Sequence, residues 1–282
     1  MTVATAQVVD TRGRMSAAIK ISIAIHALAL LLLFWTWRYW PLTLTIIVIN
    51  HLVLLVAGFV PRSPWIGANV RRLPPAAAAA GQLAITIDDG PDPLITPQVL
   101  DLLDQLECKV TFFCVGEQVA AHADLAREIV RRGHSIENHT QRHRLWFSGM
   151  GPAGIRREVL QAQATIAAAA GTAPRFFRAP AGFRNPLLDG ILNAAGLRLV
   201  SWTRRGFDTV STDPKVVLAR LTRNLRGGDI LLLHDGHAAR AVDGSPVILR
   251  VLPELVAAAR RAGLDCVTLR AALQPASAAK TT

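Results

Sequence analysis

Two long apolar runs, residues 19–37 and 42–60, restrict the folds open to this chain more than anything else in it. Each would form a helix of about 28 Å, close to the hydrocarbon thickness of a bilayer. The first run holds one charge, Lys20 near its start, and the second holds none. Arg38-Tyr39-Trp40-Pro41 joins them, flanked by Trp35 and Trp37, an aromatic composition typical of a membrane–water interface. No small-residue cleavage site follows the first run and the second comes at once, so a transmembrane helical hairpin fits better than a signal peptide. Arg12, Arg14 and Lys20 precede the hairpin and Arg62, Arg71 and Arg72 follow it, whereas only Arg38 lies in the connection. The positive-inside rule then puts both flanks, and everything after residue 60, on the cytoplasmic side of a bacterial-type inner membrane, with membrane lipid around the spans. His26 and His51 fall at similar depth in the two runs and can face each other. Ionisable residues at that depth read as functional by default, but neutral imidazoles that hydrogen-bond and hold two helices together are the plainer expectation.

The chain divides into a basic tail (1–18), the hairpin (19–60), a Pro/Ala-rich linker (61–81), a soluble domain (82–272) and a short tail (273–282). Its net charge of +11 is uneven, because residues 1–74 hold seven basic side chains against the single acid Asp10. The rest of the excess is spread thinly, without a basic run or a recognisable module, which argues against a nucleic-acid partner. Nothing marks a protein partner either. Cys108, Cys114 and Cys266 are odd in number and widely spaced. They imply neither a disulfide framework nor a zinc knuckle, and read as three buried thiols in a reducing compartment.

From residue 83 short apolar runs alternate with helical stretches. Strands are expected near 83–87, 110–115, 134–138, 176–178, 198–202, 230–233 and 266–269. Helices are expected near 96–106 (with Thr96 as N-cap and Pro97 first), 124–132, 155–170, 186–195, 214–225 and 247–261. Gly133 and Gly171 stop two of them. Seven strands alternating with helices predict an α/β domain with a parallel sheet, open or closed into a barrel. The unusual polar residues follow the strands: Asp88 and Asp89 the first, His139 and His143 the third, Arg178 the fourth, Asp208 the fifth and His234 the sixth. Strand carboxyl ends share one face in such folds, so segments far apart in the chain converge there.

Each segment has a chemistry and a plainer alternative. Asp88-Asp89-Gly90-Pro91 is either a turn or a pair of carboxylates that only a cation and an arginine can keep ionised together. His139-Thr140-Gln141-Arg142-His143, on a helical turn, would put two imidazoles about 6 Å apart, suited with Asp89 to one metal ion with open positions. Arg178 in Arg178-Ala179-Pro180-Ala181-Gly182 can hold Asp88 ionised, and a backbone N–H after Pro180 can meet an oxyanion. Asp208 beside His234 would raise its pKa and make a general acid usable near neutrality. Asp235 and His237 compete for the same roles.

In order, these segments resemble the NodB-homology domain of the carbohydrate esterase family 4 polysaccharide deacetylases, over about residues 82–272. The resemblance implies a distorted (β/α) barrel of seven or eight strands that removes acetyl groups from sugars with one divalent metal. It implies Asp88 as catalytic base, Asp89, His139 and His143 as metal ligands, Arg178 as the residue orienting Asp88, Asp208 as the partner tuning a histidine, and His234 as catalytic acid. Ala181 and Leu232 would line the substrate and oxyanion position. Zinc suits two histidines and a carboxylate, with cobalt or nickel as substitutes. Family members commonly carry an aromatic residue where Ala181 stands and a Trp where Thr209 stands. Their absence favours a smaller or lipid-linked glycan over a long polymer. The expected function is a membrane-anchored, metal-dependent deacetylase of an N-acetylated glycan. The alternatives are a deformylase or deacylase of a lipid-linked amino sugar, and a non-catalytic glycan-binding membrane protein.

Overall fold

Ser16 caps the first helix, α1 (Ala17–Trp35), by accepting a hydrogen bond from the Ile19 N–H at 3.3 Å. A short turn at Trp37–Tyr39 reverses the chain into α2 (Trp40–Phe59), with Pro41 in its first turn, where a missing N–H costs nothing. The structure is a computed structural model that describes residues 15–273. Arg12 and Arg14 of the basic tail, and the tail after Leu273, lie outside the described residues. Both helices are long and apolar enough to cross a membrane, and most of their large side chains are exposed. The His26 and His51 rings meet edge-on, 5.1 Å apart. Each histidine donates from Nδ1 to the carbonyl one turn back in its own helix, Ser22 at 2.7 Å and Ile47 at 2.9 Å. The hydrogen bond that crosses the hairpin comes from elsewhere: Asn50 Nδ2 donates to Ser22 Oγ at 2.8 Å.

The stretch expected as a linker is docked on the domain. Its prolines and glycines preclude a continuous helix but leave extended backbone free to pair with a sheet edge. Val70 forms a parallel bridge with Val200, its N–H donating to Leu199 O and its carbonyl accepting from Ser201 N, both at 2.9 Å. Leu73 N–H donates to Gly228 O at 2.9 Å, and a one-turn helix, α3 (Pro75–Ala79), follows. Ile66, Leu73 and Ala77 are buried.

The sheet contains β1 (Gln82–Asp88), β2 (Thr111–Cys114), β3 (Ser135–Asn138), β4 (Phe176–Phe177), β5 (Arg198–Leu199), β6 (Arg204–Arg205), β7 (Ile230–His234) and β8 (Asp265–Cys266). Every pairing is parallel, in the order β5-β4-β3-β2-β1-β7-β6, with β8 on the start of β1. The result is a curled half-barrel that fits the NodB-like (β/α) fold, and the 66–73 segment lies along its seam between β5 and β6. The two-residue β6 is too short for a periodic signal and was not among the expected strands. Helices α4 (Thr96–Gln105), α5 (Gly116–Ala121), α6 (Ala123–Arg131), α7 (Pro152–Ala170), α8 (Leu188–Ala194), α9 (Pro214–Thr222), α10 (Val247–Arg261) and α11 (Leu269–Ala272) complete the domain. Ile95, not Thr96, is the cap residue of α4, because the Thr96 hydroxyl is engaged elsewhere.

Strand alternation sorts the side chains. Leu83, Ile85 and Ile87 of β1, Phe112 and Cys114 of β2, and Leu231 and Leu233 of β7 face outward into the main apolar core, where α4, α9 and α10 cover them. Their alternates, Ala84, Phe113 and Ile230, form a smaller cluster with Leu73, Ala77 and Leu269. One step further along those strands the same face carries Thr86, Asp88 and His234. The core thus ends where the polar residues begin. Leu73→Ala should lower domain stability by about 2–4 kcal/mol, as for any large-to-small change in a packed core. Thermal or denaturant unfolding of the detergent-solubilised chain measures this, and a solvated linker would give a change near zero.

Candidate active site

Asp88 is the last residue of β1 and pairs in register with His234 at the end of β7. Asp89 follows with φ of 80°, in the left-handed region. Successive strand residues normally point to opposite faces, and this kink lets both carboxylates serve one site. Asp88 Oδ1 accepts from Arg178 Nη1 at 2.5 Å. Arg178 is buried over the Phe113 ring, 4.0 Å from its centroid. Its remaining donors go to Thr86 Oγ1 at 2.8 Å and to the carbonyls of Val200 and Ser201 at 3.3 and 3.1 Å.

Asp89 turns to the histidines. Its Oδ1 is 3.2 Å from both His139 Nε2 and His143 Nε2, and Asp88 Oδ2 is 3.8 Å from His139 Nε2. The helical turn expected between the two histidines is absent. Thr140 and His143 are left-handed, at φ 67° and 49°, and the Thr140 hydroxyl accepts from His143 N–H at 3.0 Å. This tight bend leaves the rings 4.8 Å apart. The ligand atoms of Asp89, His139 and His143 all lie within 4.8 Å of one another. His139 Nδ1–H donates to the Arg178 carbonyl at 2.8 Å, which fixes the ring with its Nε2 towards Asp89. That donor set fits a single divalent cation.

Burial opposes ionisation of Asp89, yet the hydrogen bond and charge of His139, with His234 and His143 beyond, hold its carboxyl well below the usual range. Burial and the neighbouring His139 draw His143 down to about 4, so it is neutral at physiological pH. For His139 burial pulls the same way, but the charges of Asp88 and Asp89 outweigh it and raise the imidazole.

On the other side, His234 Nδ1 is 2.9 Å from Asp208 Oδ1, and its backbone N–H donates to Asp208 Oδ2 at 2.7 Å. Burial acts to lower His234, but the bond to Asp208 and that residue's charge raise it. The two competitors separate here. Asp235 faces away and accepts from the Thr96 hydroxyl at 2.5 Å, whereas His237 is an exposed rim residue 3.9 Å from Asp89 Oδ2.

Asp88, Asp89, His139, His143, His234 and His237 line a cleft of about 490 Å³, together with Ala181, Leu232 and Thr209. Ala181 has φ of 53°. Trp202, Arg205, Glu117, Gln118, Arg142 and Leu145 also line it, and sequence reading gave none of them a role. Thr86 was missed as well, although its position two before Asp88 puts it on the same strand face. The Thr96–Asp235 clamp had no local signal, since 139 residues separate its members.

A family model described as polysaccharide deacetylase matches residues 77–200. The chain is 34% identical over 175 residues to a peptidoglycan-N-acetylglucosamine deacetylase of Bacillus cereus, a match covering 61% of this chain and 81% of that protein. It is 34% identical over 188 residues to a chitooligosaccharide deacetylase of a Bradyrhizobium species, covering 64% and 85%. A family 4 acetyl xylan esterase from Clostridium thermocellum, solved with a cobalt ion, superposes with TM-score 0.60 at 32% identity, covering 67% of this chain and 89% of that one. The chain belongs to the polysaccharide deacetylase family, carbohydrate esterase family 4, and is a carbohydrate deacetylase, hence a hydrolase.

The clamp is testable by pH. Burial, assisted by the charge of Asp89 and resisted by the Thr96 hydroxyl, pushes Asp235 up to about 7. A carboxyl whose folded pKa exceeds its unfolded one adds stability below about pH 4 that is lost as pH rises through 7. Between pH 4 and 8, with chelator present, Asp235→Asn should therefore gain about 2–4 kcal/mol on the parent chain in denaturant unfolding.

Proposed function

We propose that the protein is a metal-dependent deacetylase of an N-acetylated glycan, held to a membrane by its N-terminal hairpin. The observation that carries the reading is the convergence of Asp88, with its arginine, and His234, with its aspartate, on either side of the Asp89–His139–His143 group. Those three residues would hold the ion, zinc by preference and cobalt or nickel as substitutes. Bound there, a divalent cation supplies positive charge to polarise the acetyl carbonyl and to acidify a nearby water.

Asp88 is the general base. Arg178 fixes its orientation, so Oδ2, the oxygen not bonded to Arg178 Nη1, takes the proton of the attacking water. His234 is the general acid: with Nδ1 held by Asp208, its Nε2 carries the proton given to the departing amine. Asp208 is a positioning residue that favours the imidazolium. The Ala181 N–H is assigned to the oxyanion, and Leu232 to the apolar wall beside the acetyl methyl. Residues 82–272 form the catalytic domain in this reading, with 19–60 as the anchor, and the Lys/Arg flanks put the domain on the cytoplasmic side. A smaller or lipid-linked glycan is favoured because Ala181 and Thr209 leave the cleft without two aromatic walls.

In the detergent-solubilised chain, acetate release from chitooligosaccharides should stop on chelation and return with zinc. Asp88→Asn should lower kcat/KM by about 10²–10⁴-fold while one zinc per chain is retained. His139→Ala should lose the zinc itself, read by elemental analysis. Acetate release that persists in Asp88→Asn would remove the base assignment. In intact cells, Glu254→Cys should resist a membrane-impermeant maleimide until the cells are opened; labelling beforehand would reverse the topology.

A further inference from the structure

The end of α2 is fixed to the cleft wall itself. The Gly58 carbonyl accepts from Arg184 N–H at 3.1 Å, and any Cβ at Gly58 would collide with the Arg184 carbonyl. Phe59 meets Phe183 edge-on at 5.0 Å. Gly182, which lines the cleft, sits against Pro61 and Trp202, and Arg62 Nη1 donates to Thr203 O at 3.0 Å. A helix of 20 residues is about 30 Å long. Once it crosses the hydrocarbon, Phe59 lies at the interface and Ala181 and Gly182 lie one short loop beyond it.

Apolar side chains are exposed around the same opening. Leu145, on the cleft rim, and Trp146 are 78% and 62% exposed, and Val210, next to the cleft residue Thr209, is 78% exposed. Arg144, also exposed, directly precedes Leu145, whereas Arg142 is paired with Glu117 at 2.9 Å, so the rim is apolar with a basic group beside it. The tryptophans follow suit. Of the six in the chain only Trp202 is buried: Trp35, Trp37 and Trp40 mark the turn of the hairpin, and Trp65 and Trp146 lie on the domain side. Exposed tryptophan at both ends of a span is the signature of the two interfaces. Soluble surfaces seldom expose side chains of this kind together beside basic groups.

We infer that the mouth of the cleft rests on the bilayer surface, with Trp146 and Val210 entering the headgroup region and Arg144 meeting anionic lipid. The saccharide that reaches Asp88 and His234 is then one carried by a membrane lipid. This rests on the deacetylase and hairpin readings above and adds to them where the substrate comes from.

The full chain is reconstituted in vesicles of phosphatidylethanolamine and phosphatidylglycerol. A bimane fluorophore is placed on Trp146→Cys, on Val210→Cys and, at the far end of the barrel, on Lys109→Cys, with the unsubstituted chain as background. Lipids carrying a nitroxide near the headgroup should quench positions 146 and 210 and leave 109 bright. In parallel, deacetylation of an N-acetylglucosaminyl polyprenyl lipid in the same vesicles is compared with that of a soluble chitooligosaccharide. The ratio of the two kcat/KM values should fall about tenfold in Trp146→Ser/Val210→Ser, the loss expected for removing apolar contact with lipid. No quenching at 146 and 210, or an unchanged ratio, overturns the proposal. Failure to deacetylate either substrate overturns instead the function proposed above, because quenching is read without turnover.

Discussion

The buried contact between Arg178 and Asp88 organises everything around it. A guanidinium and a carboxylate taken out of water lose hydration that their attraction repays only with further hydrogen bonds. Here each guanidinium nitrogen has a partner: Arg178 reaches Asp88, the Thr86 hydroxyl and two carbonyls just after β5, and lies over Phe113. Strands β1, β2, β4 and the chain after β5 are thereby tied to one side chain inside the barrel. The arginine's own carbonyl accepts from His139 Nδ1, which orients the ring towards Asp89. A single residue thus links the orientation of the proposed base to that of a proposed ligand, by side chain on one hand and backbone on the other.

Backbone conformation does the rest. Of the eight described non-glycine residues with positive φ, Asp89, His143, Ala181 and His237 line the cleft, and Thr140 braces His143. Each such residue costs about 1–2 kcal/mol relative to ordinary backbone, so so many at one opening require support from the surrounding fold. That support is visible. Asp235 and Thr96 tie the Asp89–Gly90 turn to the start of α4, and any Cβ at Gly90 would collide with the Asp235 carboxyl. Asn138 Oδ1 accepts from Thr140 N–H and its amide donates to α7 at Val159 O, holding the histidine loop against a helix.

Much of this could be read in the sequence because the informative residues sit at strand ends. The apolar runs at 83–87 and 230–233 marked two strands and the polar residues after them marked the face of the site, and Gly171 ended α7 as expected, at φ 68°. What could not be read is what needs the third dimension. The spacing of His139 and His143 is helical, but the chain bends through left-handed residues instead, and spacing alone does not distinguish the two. Asp235 and His237 looked equivalent to Asp208 and His234 until the fold turned one towards Thr96 and the other to the rim. The proline-rich stretch before β1 read as a linker because its pairing partner, Val200, lies 130 residues away and follows a two-residue strand with no pattern of its own.

The loop from Arg178 to Arg184 has two duties that pull its composition in opposite directions. Facing the cleft, it holds buried Arg178 and contributes Ala181 to the lining. Facing α2, it must accept Gly58 and Pro61 at close range, which it does with Gly182 at φ 76° and with the N–H of Arg184. Buried Arg184 also donates to Ser63 O, locking the chain that leaves the helix. A bulky aromatic at position 181 would grip a long sugar chain, but it would stand next to a glycine already pressed between Pro61 and Trp202. Docking the helix and walling a polymer groove therefore compete for the same few residues. The proposal of a membrane-borne rather than a soluble glycan therefore turns on the same loop that receives the end of α2.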